Sequence, residues 1–352
     1  MNEVRIGLIG AGGIASGVHL PGIEAARGGK LTALCDIDEE RLTAAAERYG
    51  IPENRRFRDY RELIACPDVD AVDICTPNYL HAEMAIAATR AGKAVCVEKP
   101  IAMSVGEALR IRDAVKSAGV PSMVCFSNRF RSAVRFAKWI MDRGLLGKVA
   151  NLYVEYLKSS AFIEGRRLEW RFIKDMAGTG VLGDLGSHLI DMARFLVGDI
   201  DGVTAQTGIL VKKRPKLDSD EIGEVETDDY CHFLAELSGG AAATFSISRC
   251  AMGNANSIKF EIYGSAGALA IDLNRPDELC VCLGDVDRIT EGMHWVRVPA
   301  RYRSNQMQSF IDIVRGEGDG LAPTIDDGVE CQRVLDALVA SSQERCWVDI
   351  IK

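Results

Sequence analysis

Short apolar runs at 4–9, 31–36, 71–75, 94–97 and 122–126 alternate with amphipathic stretches at 13–27, 38–49, 79–92 and 104–118. The first set predicts buried strands and the second helices. Apolar strands separated by helices mean a parallel sheet covered on both faces. The pattern changes near residue 125. A helical stretch at 132–143 ends at Gly144, and longer segments of alternating apolar and polar residues follow at 149–158, 203–212, 229–238, 241–248, 257–263 and 267–272. With few helices between the last of these, an open, largely antiparallel sheet is expected. Helical patterns at 304–315 and 326–343 close the chain. The charged segment 212–228, poor in apolar residues, reads as an exposed loop. The fold class is therefore α/β for residues 1–124, a doubly wound parallel sheet of Rossmann type. Residues 125–352 form a second, α+β domain.

The first strand runs into Gly10-Ala11-Gly12-Gly13-Ile14-Ala15, and the second ends on Asp36. Gly10 allows a tight turn out of the strand, Gly12 lets a pyrophosphate approach the backbone, and Ala15 keeps helix and strand close. The N–H groups around Gly13 and Ile14 then face the phosphates at a helix start. Asp36 is near the usual spacing of about 20 residues for the acid that binds the adenosine ribose. Such a carboxylate accepts hydrogen bonds from both ribose hydroxyls and repels a 2′-phosphate. Arg41 is the first cation after it, so NAD is favoured over NADP.

The remaining bulk properties narrow the function classes. The chain has 352 residues, enough for two cores, and a net charge of −8 with no basic stripe, which argues against nucleic acid or anionic membrane as partner. No run is apolar and long enough to span a bilayer, and no signal peptide precedes the first strand. Eleven cysteines show no metal-like grouping; several fall in expected strands as small apolar fillers, which points to a reducing compartment and a cytoplasmic protein.

Candidate chemistry gathers at the carboxyl ends of the parallel strands, where such sheets bind ligands. Thr76-Pro77-Asn78 follows 71–75, with His81 just beyond, and Glu98-Lys99-Pro100 follows 94–97. A lysine there reaches solvent or points into the cofactor cleft, with Glu98 and Asp184 as candidate partners. A second cluster is Gly178-Thr179-Gly180-Val181-Leu182-Gly183-Asp184-Leu185-Gly186-Ser187-His188, with Asp191 beyond. Asp184, His188 and Asp191 are spaced to share a helix face, with Leu185, Leu189, Met192 and Leu196 as the buried stripe. The plain alternative is that Asp184 caps the helix, Asp191 is solvated and His188 is structural. A metal held by the three is disfavoured for want of a further ligand, and no metal is expected. His19, His232 and His294 read as structural. Asn128 and Arg129 end the strand 122–126 and are candidates to roof the nicotinamide; Arg129, Tyr153, Trp170 and Arg171 are weaker candidates for the substrate pocket, and Arg129 and Arg171 read equally well as surface cations.

Taken in order, the glycine turn, Asp36, Thr76-Pro77-Asn78 with His81, Glu98-Lys99-Pro100, Asp184-x-x-x-His188 and the closing Pro323-Thr324-Ile325-Asp326-Asp327-Gly328 resemble the glucose–fructose oxidoreductase / inositol dehydrogenase (Gfo/Idh/MocA) family. The resemblance implies an NAD-dependent oxidoreductase that oxidises a secondary hydroxyl of a sugar, sugar derivative or cyclitol. It implies that Lys99, Asp184 and His188 meet beside the nicotinamide, that Lys99–Pro100 is often cis, and that the open sheet commonly forms a homodimer or homotetramer interface. On this basis His188 is the general base, Lys99 stabilises the developing alkoxide, and Asp184 holds one of them in place. Thr179 stands where many relatives have a third glycine. Rival readings are an NAD-using glycosidase or lyase with no net redox change, a non-catalytic NAD-binding regulator, and an imine or carbonyl reductase.

Overall fold

Six parallel strands form the sheet of the first unit in the computed structural model, which describes residues 3–285 and 292–351. They are β1 (Val4–Ile9), β2 (Gly29–Cys35), β3 (Arg56–Phe57), β4 (Ala71–Ile74), β5 (Ala94–Val97) and β6 (Ser122–Val124), in the order β3-β2-β1-β4-β5-β6. The order reverses between β1 and β4, the switch point at which ligands bind in such sheets. Helices α1 (Leu20–Ala25), α2 (Glu39–Arg48), α3 (Tyr60–Ala65), α4 (His81–Arg90) and α5 (Val105–Ala118) connect the strands. Their starts follow local chemistry. The Asp38 carboxylate accepts the Arg41 N–H to open α2, the Ser104 hydroxyl accepts the Glu107 N–H to open α5, and Gly119 ends α5 at φ +65°. The sequence pattern missed β3 and α3, both too short to establish a period.

The first unit comprises Met1–Phe126 with Ser304–Val329, and the second Ser127–Arg303 with Glu330–Lys352. The expected 125–352 domain therefore loses 304–329 to the first unit. The reason is packing. The helix Gln306–Arg315 buries Met307, Phe310, Ile311 and Val314. A Cβ on Gly22 would press on Met307, and one on Gly29 on Ile311. The Asn305 amide donates to the Gly22 carbonyl, and Gln308 exchanges two hydrogen bonds with the Arg27 backbone. An amphipathic pattern shows that one face is covered, not which element covers it.

The second unit carries α6 (Ser132–Asp142), β7 (Val149–Leu157), α7 (Lys174–Ala177), α8 (Ser187–Leu196), β8 (Ile200–Gly208), β9 (Lys213–Pro215), β10 (Ile222–Glu224), β11 (Tyr230–Leu237), β12 (Ala241–Ser248), β13 (Ser257–Gly264), β14 (Gly267–Asp272), β15 (Glu278–Leu283), β16 (His294–Arg297) and β17 (Val348–Asp349). Nine of these strands form one sheet, β16-β15-β14-β13-β7-β12-β11-β8-β17, antiparallel except at β7–β12. One face is buried through residues such as Leu152, Val154, Phe233, Phe245 and Phe260. The other leaves Tyr153 and Leu234 about half exposed. The segment 212–228 is largely exposed, as expected, but it is not all loop. It holds the β9–β10 ribbon, and Arg214, Val225 and Thr227 are buried. No described helix is long and apolar enough to cross a membrane, and no disulfide joins any of the eleven cysteines.

Candidate functional site

In the first unit the glycine turn sits at the switch point. Gly10 has φ +92°, and a Cβ there would lie 2.9 Å from the Cys75 carbonyl at the end of β4, so only glycine fits. Gly12 and Gly13 open onto space: a Cβ on either meets nothing within 4 Å. Helical bonding begins after them, with Ser16 N–H to the Gly12 carbonyl, and Ala15–His19 is a wide π-helical turn leading into α1. Ile14 is partly exposed. Asp36 is nearly buried. Its Oδ2 accepts the Ala11 N–H at 2.7 Å and its Oδ1 the Asp38 N–H at 2.8 Å, which ties the glycine turn to the end of β2.

Beyond β4 and β5 lie the two expected loops. Asn78 is buried and follows Pro77 in a short helical turn. His81 is fully buried, its Nδ1 2.8 Å from the Pro100 carbonyl and its Nε2 2.9 Å from the Thr76 carbonyl; burial pushes its pKa below the usual histidine value. The ring thus staples the 76–78 and 98–100 loops together. The Lys99–Pro100 peptide is cis. Lys99 is half-buried, and its N–H donates to Glu98 Oε2 at 3.0 Å.

One partner of Glu98 was not foreseen. Its Oε1 lies 2.8 Å from His19 Nε2, while His19 Nδ1 lies 2.8 Å from Asp73 Oδ2 inside β4. His19 and Asp73 are fully buried, and Glu98 nearly so. An aspartate within the apolar run Ala71-Val72-Asp73-Ile74 is the signal that was available, since a buried carboxylate needs a partner. Among the described residues, His19, Asp73 and Cys125 are the one group close enough to share a metal ion. Burial pushes the Cys125 thiol well above its ordinary pKa, and both ring nitrogens of His19 already lie against carboxylate oxygens.

In the second unit the glycine cluster is held by Asp228. Its carboxylate accepts the N–H of Gly180 at 2.6 Å and of Leu182 at 2.8 Å, and its carbonyl accepts that of Val181. A Cβ on Gly180 would run into the Asp228 carbonyl oxygen, so this close approach needs glycine. Burial raises the Asp228 pKa, and the two N–H donors oppose that shift. Leu182–Gly186 is a second π-helical turn, and α8 follows it with no side-chain cap, so Asp184 lies within the turn and does not cap the helix. From Gly180 to Ala193, Asp184 and His188 are the only residues not buried. They form a polar edge on an otherwise sequestered segment.

Asp191 does not belong to that edge. It is fully buried, bound at two points by Arg129 (Nε to Oδ2 2.8 Å, Nη2 to Oδ1 2.6 Å), whose guanidinium lies 4.6 Å over Phe195. This corrects Asp191 as a solvated residue or metal ligand, and gives Arg129 a structural pairing in place of the expected substrate contact. Asn128 beside it is buried too, with no hydrogen-bond partner for its Nδ2 among the described residues. Tyr153 points to the open face of the sheet, edge-on to Tyr263 at 6.0 Å, and so is not on the covered face. The inward tyrosine is Tyr156, three residues on. It donates to Asn256 Oδ1 at 2.9 Å, and burial and the Asp184 charge raise its pKa. Strict alternation along β7 separates the two. Trp170 and Arg171 are partly exposed; the guanidinium lies 4.4 Å over the indole.

Residues 4–126 match a family model described as an oxidoreductase family with an NAD-binding Rossmann fold, and 134–270 match the C-terminal domain of the same family. A levoglucosan dehydrogenase from Pseudarthrobacter phenanthrenivorans is 32% identical over 347 residues, covering 90% of this chain and 88% of that protein. The chain belongs to the Gfo/Idh/MocA oxidoreductase family. Inositol 2-dehydrogenase of Rhizobium meliloti is similarly related, at 29% identity over 350 residues and 99% of both chains. Among solved structures, levoglucosan dehydrogenase in complex with NADH and L-sorbose superposes with a TM-score of 0.92 at 31% identity, covering 100% of each chain.

The first unit of this family member fits NAD on its own geometry. Gly12 and Gly13 leave room above the turn, the N–H groups of that turn precede the first helical bond, and Asp36 stands at the end of the adjacent strand.

Proposed function

We propose that this chain is an NAD-dependent dehydrogenase of a secondary hydroxyl on a sugar, sugar derivative or cyclitol. The observation that carries the reading is the pair Asp184 and His188, the only accessible side chains in a buried glycine-rich segment. It is supported by Lys99 at the carboxyl end of β5 and by relatives named for oxidising levoglucosan and inositol.

NAD, when bound, supplies the hydride acceptor. The glycine turn 10–13 and Ile14 receive the pyrophosphate, Asp36 the adenosine ribose, and Thr76, Pro77 and Asn78 the nicotinamide side. Glu98 fixes the chain at Lys99. His188 takes the hydroxyl proton, because an imidazole gains and loses protons near neutrality. Lys99 donates a hydrogen bond to the same oxygen and stabilises the charge that develops on it. Asp184 orients its neighbour His188 and accepts from an adjacent substrate hydroxyl. Trp170 and Arg171 line the substrate side, and Asn128 offers its amide. The exposed sheet face around Tyr153, Leu234 and Tyr263 is assigned to self-association.

The test is a panel of levoglucosan, myo-inositol and glucose 6-phosphate, each with NAD and with NADP. Reduced nicotinamide should accumulate in proportion to product for at least one polyol, and faster with NAD. Consumption of a glycoside without net NADH would replace this reading with transient oxidation. NAD binding without any polyol chemistry would leave a regulator. A monomer's mass by light scattering would remove the self-association.

A further inference from the structure

The three-residue chain Asp73–His19–Glu98 is the most heavily charged buried cluster of the first unit, and none of the roles proposed above uses its centre. Both ring nitrogens of His19 lie 2.8 Å from a carboxylate oxygen, one on each side. Against two ionised carboxylates, which only accept hydrogen bonds, both nitrogens donate, and a ring with two N–H groups is an imidazolium. Burial alone would discharge that ring. Burial is the largest single influence, but the charge and hydrogen bond of Asp73 together with the neighbouring Cys75 and Cys125 offset it, and the His19 pKa stands well above the ordinary histidine value. The thiols of Cys75 and Cys125 beside it are pushed up by burial.

The geometry continues to Lys99. Glu98 gives Oε1 to His19 and Oε2 to the Lys99 N–H, so a single carboxylate bridges the ring and the lysine backbone. Asp73 sits in the middle of β4, and His19 lies in the π-helical turn that follows the glycine loop. The bridge thus ties that turn and β4 to the backbone from which the Lys99 side chain starts. We propose that His19 is a positioning residue, a buried cation that clamps Glu98 between Asp73 and Lys99 and so fixes the origin of the lysine side chain. The proposal rests on the reading in which Lys99 hydrogen-bonds the reacting oxygen and stabilises its developing charge. A small misplacement of such a group costs up to about 10²-fold in rate without touching the ligand.

The test compares His19→Gln, Lys99→Ala and the double variant, using the panel polyol that the unaltered protein oxidises. His19→Gln retains an amide donor but no charge. It is expected to lower kcat by about 10-fold or more, with the Kd for NADH changed by less than about threefold. In the Lys99→Ala background the same change should cost almost nothing further, because a residue acting through Lys99 has nothing left to position. A merely structural residue would multiply its loss in both backgrounds, and that result overturns the positioning role alone. Near-normal turnover in Lys99→Ala overturns the assignment of Lys99 to the reacting oxygen and the role that rests on it. Should His19→Gln fail to fold, nitrogen NMR of the unaltered protein decides. At about pH 8, above the ordinary histidine pKa of about 6.5, both ring nitrogens of His19 should be protonated, and a neutral ring contradicts the clamp.

Discussion

Turnover is expected to fall by about 10²-fold or more when either Lys99 or His188 is replaced by alanine, while NADH still binds. Lys99 begins one residue after a carboxylate that holds its backbone, and His188 stands with Asp184 on the only accessible edge of its segment. Neither residue is part of the glycine turn or the Asp36 contact, so the loss should appear in kcat and leave cofactor affinity within about threefold. Lys99→Arg should not restore the rate. A guanidinium is a fixed planar cation that does not release its proton, whereas an ammonium can donate to a developing alkoxide and relay the charge. The two losses should not multiply in the double variant if, as proposed, both groups act on one oxygen. Steady-state rates with the panel polyol and fluorescence titration of NADH separate these outcomes. Loss of NADH binding in either variant would assign the residue to the cofactor.

Asp191→Ala is the substitution with the largest expected effect on stability. It strips the partner from a buried arginine: Arg129 and Asp191 side chains are 5% and 1% exposed. The remaining guanidinium stays buried without that carboxylate, and breaking such a pair from one side costs about 3–5 kcal/mol. The Phe195 ring over the guanidinium offsets only a small part of that. The double change Arg129→Met with Asp191→Leu removes both charges and fills similar volume, so it should be more stable than Asp191→Ala. Urea unfolding of the three proteins measures the difference. A loss below about 1 kcal/mol in Asp191→Ala would mean that the pair is solvated.

Much of this architecture is legible in residue patterns. The strands at Val4–Ile9 and Ala94–Val97 coincide with the apolar runs, because a strand covered on both faces is largely apolar on both. The glycine turn and Asp36 are legible for a similar reason: Gly10 has a backbone that other residues rarely adopt, and its neighbour Cys75 allows no Cβ. What escapes the pattern is pairing across long separations. Nothing local to Asp191 says that Arg129, sixty-two positions earlier, will bind it, and so a buried ion pair reads as a solvated face. Tyr153 and Tyr156 are equally aromatic; only the phase of β7 decides which one turns inward. The ribbon in 212–228 hides because its strands are three residues each and its buried member, Arg214, is charged.

The most direct measurement is a crystal structure of the protein with NADH and the polyol it oxidises. The account predicts that the Lys99 ammonium and the His188 imidazole both lie within hydrogen-bond distance of one substrate hydroxyl, with the carbon bearing it facing the nicotinamide ring. If only one of them reaches the reacting oxygen and the other lies more than a substrate's width away, the shared proton-handling role is contradicted.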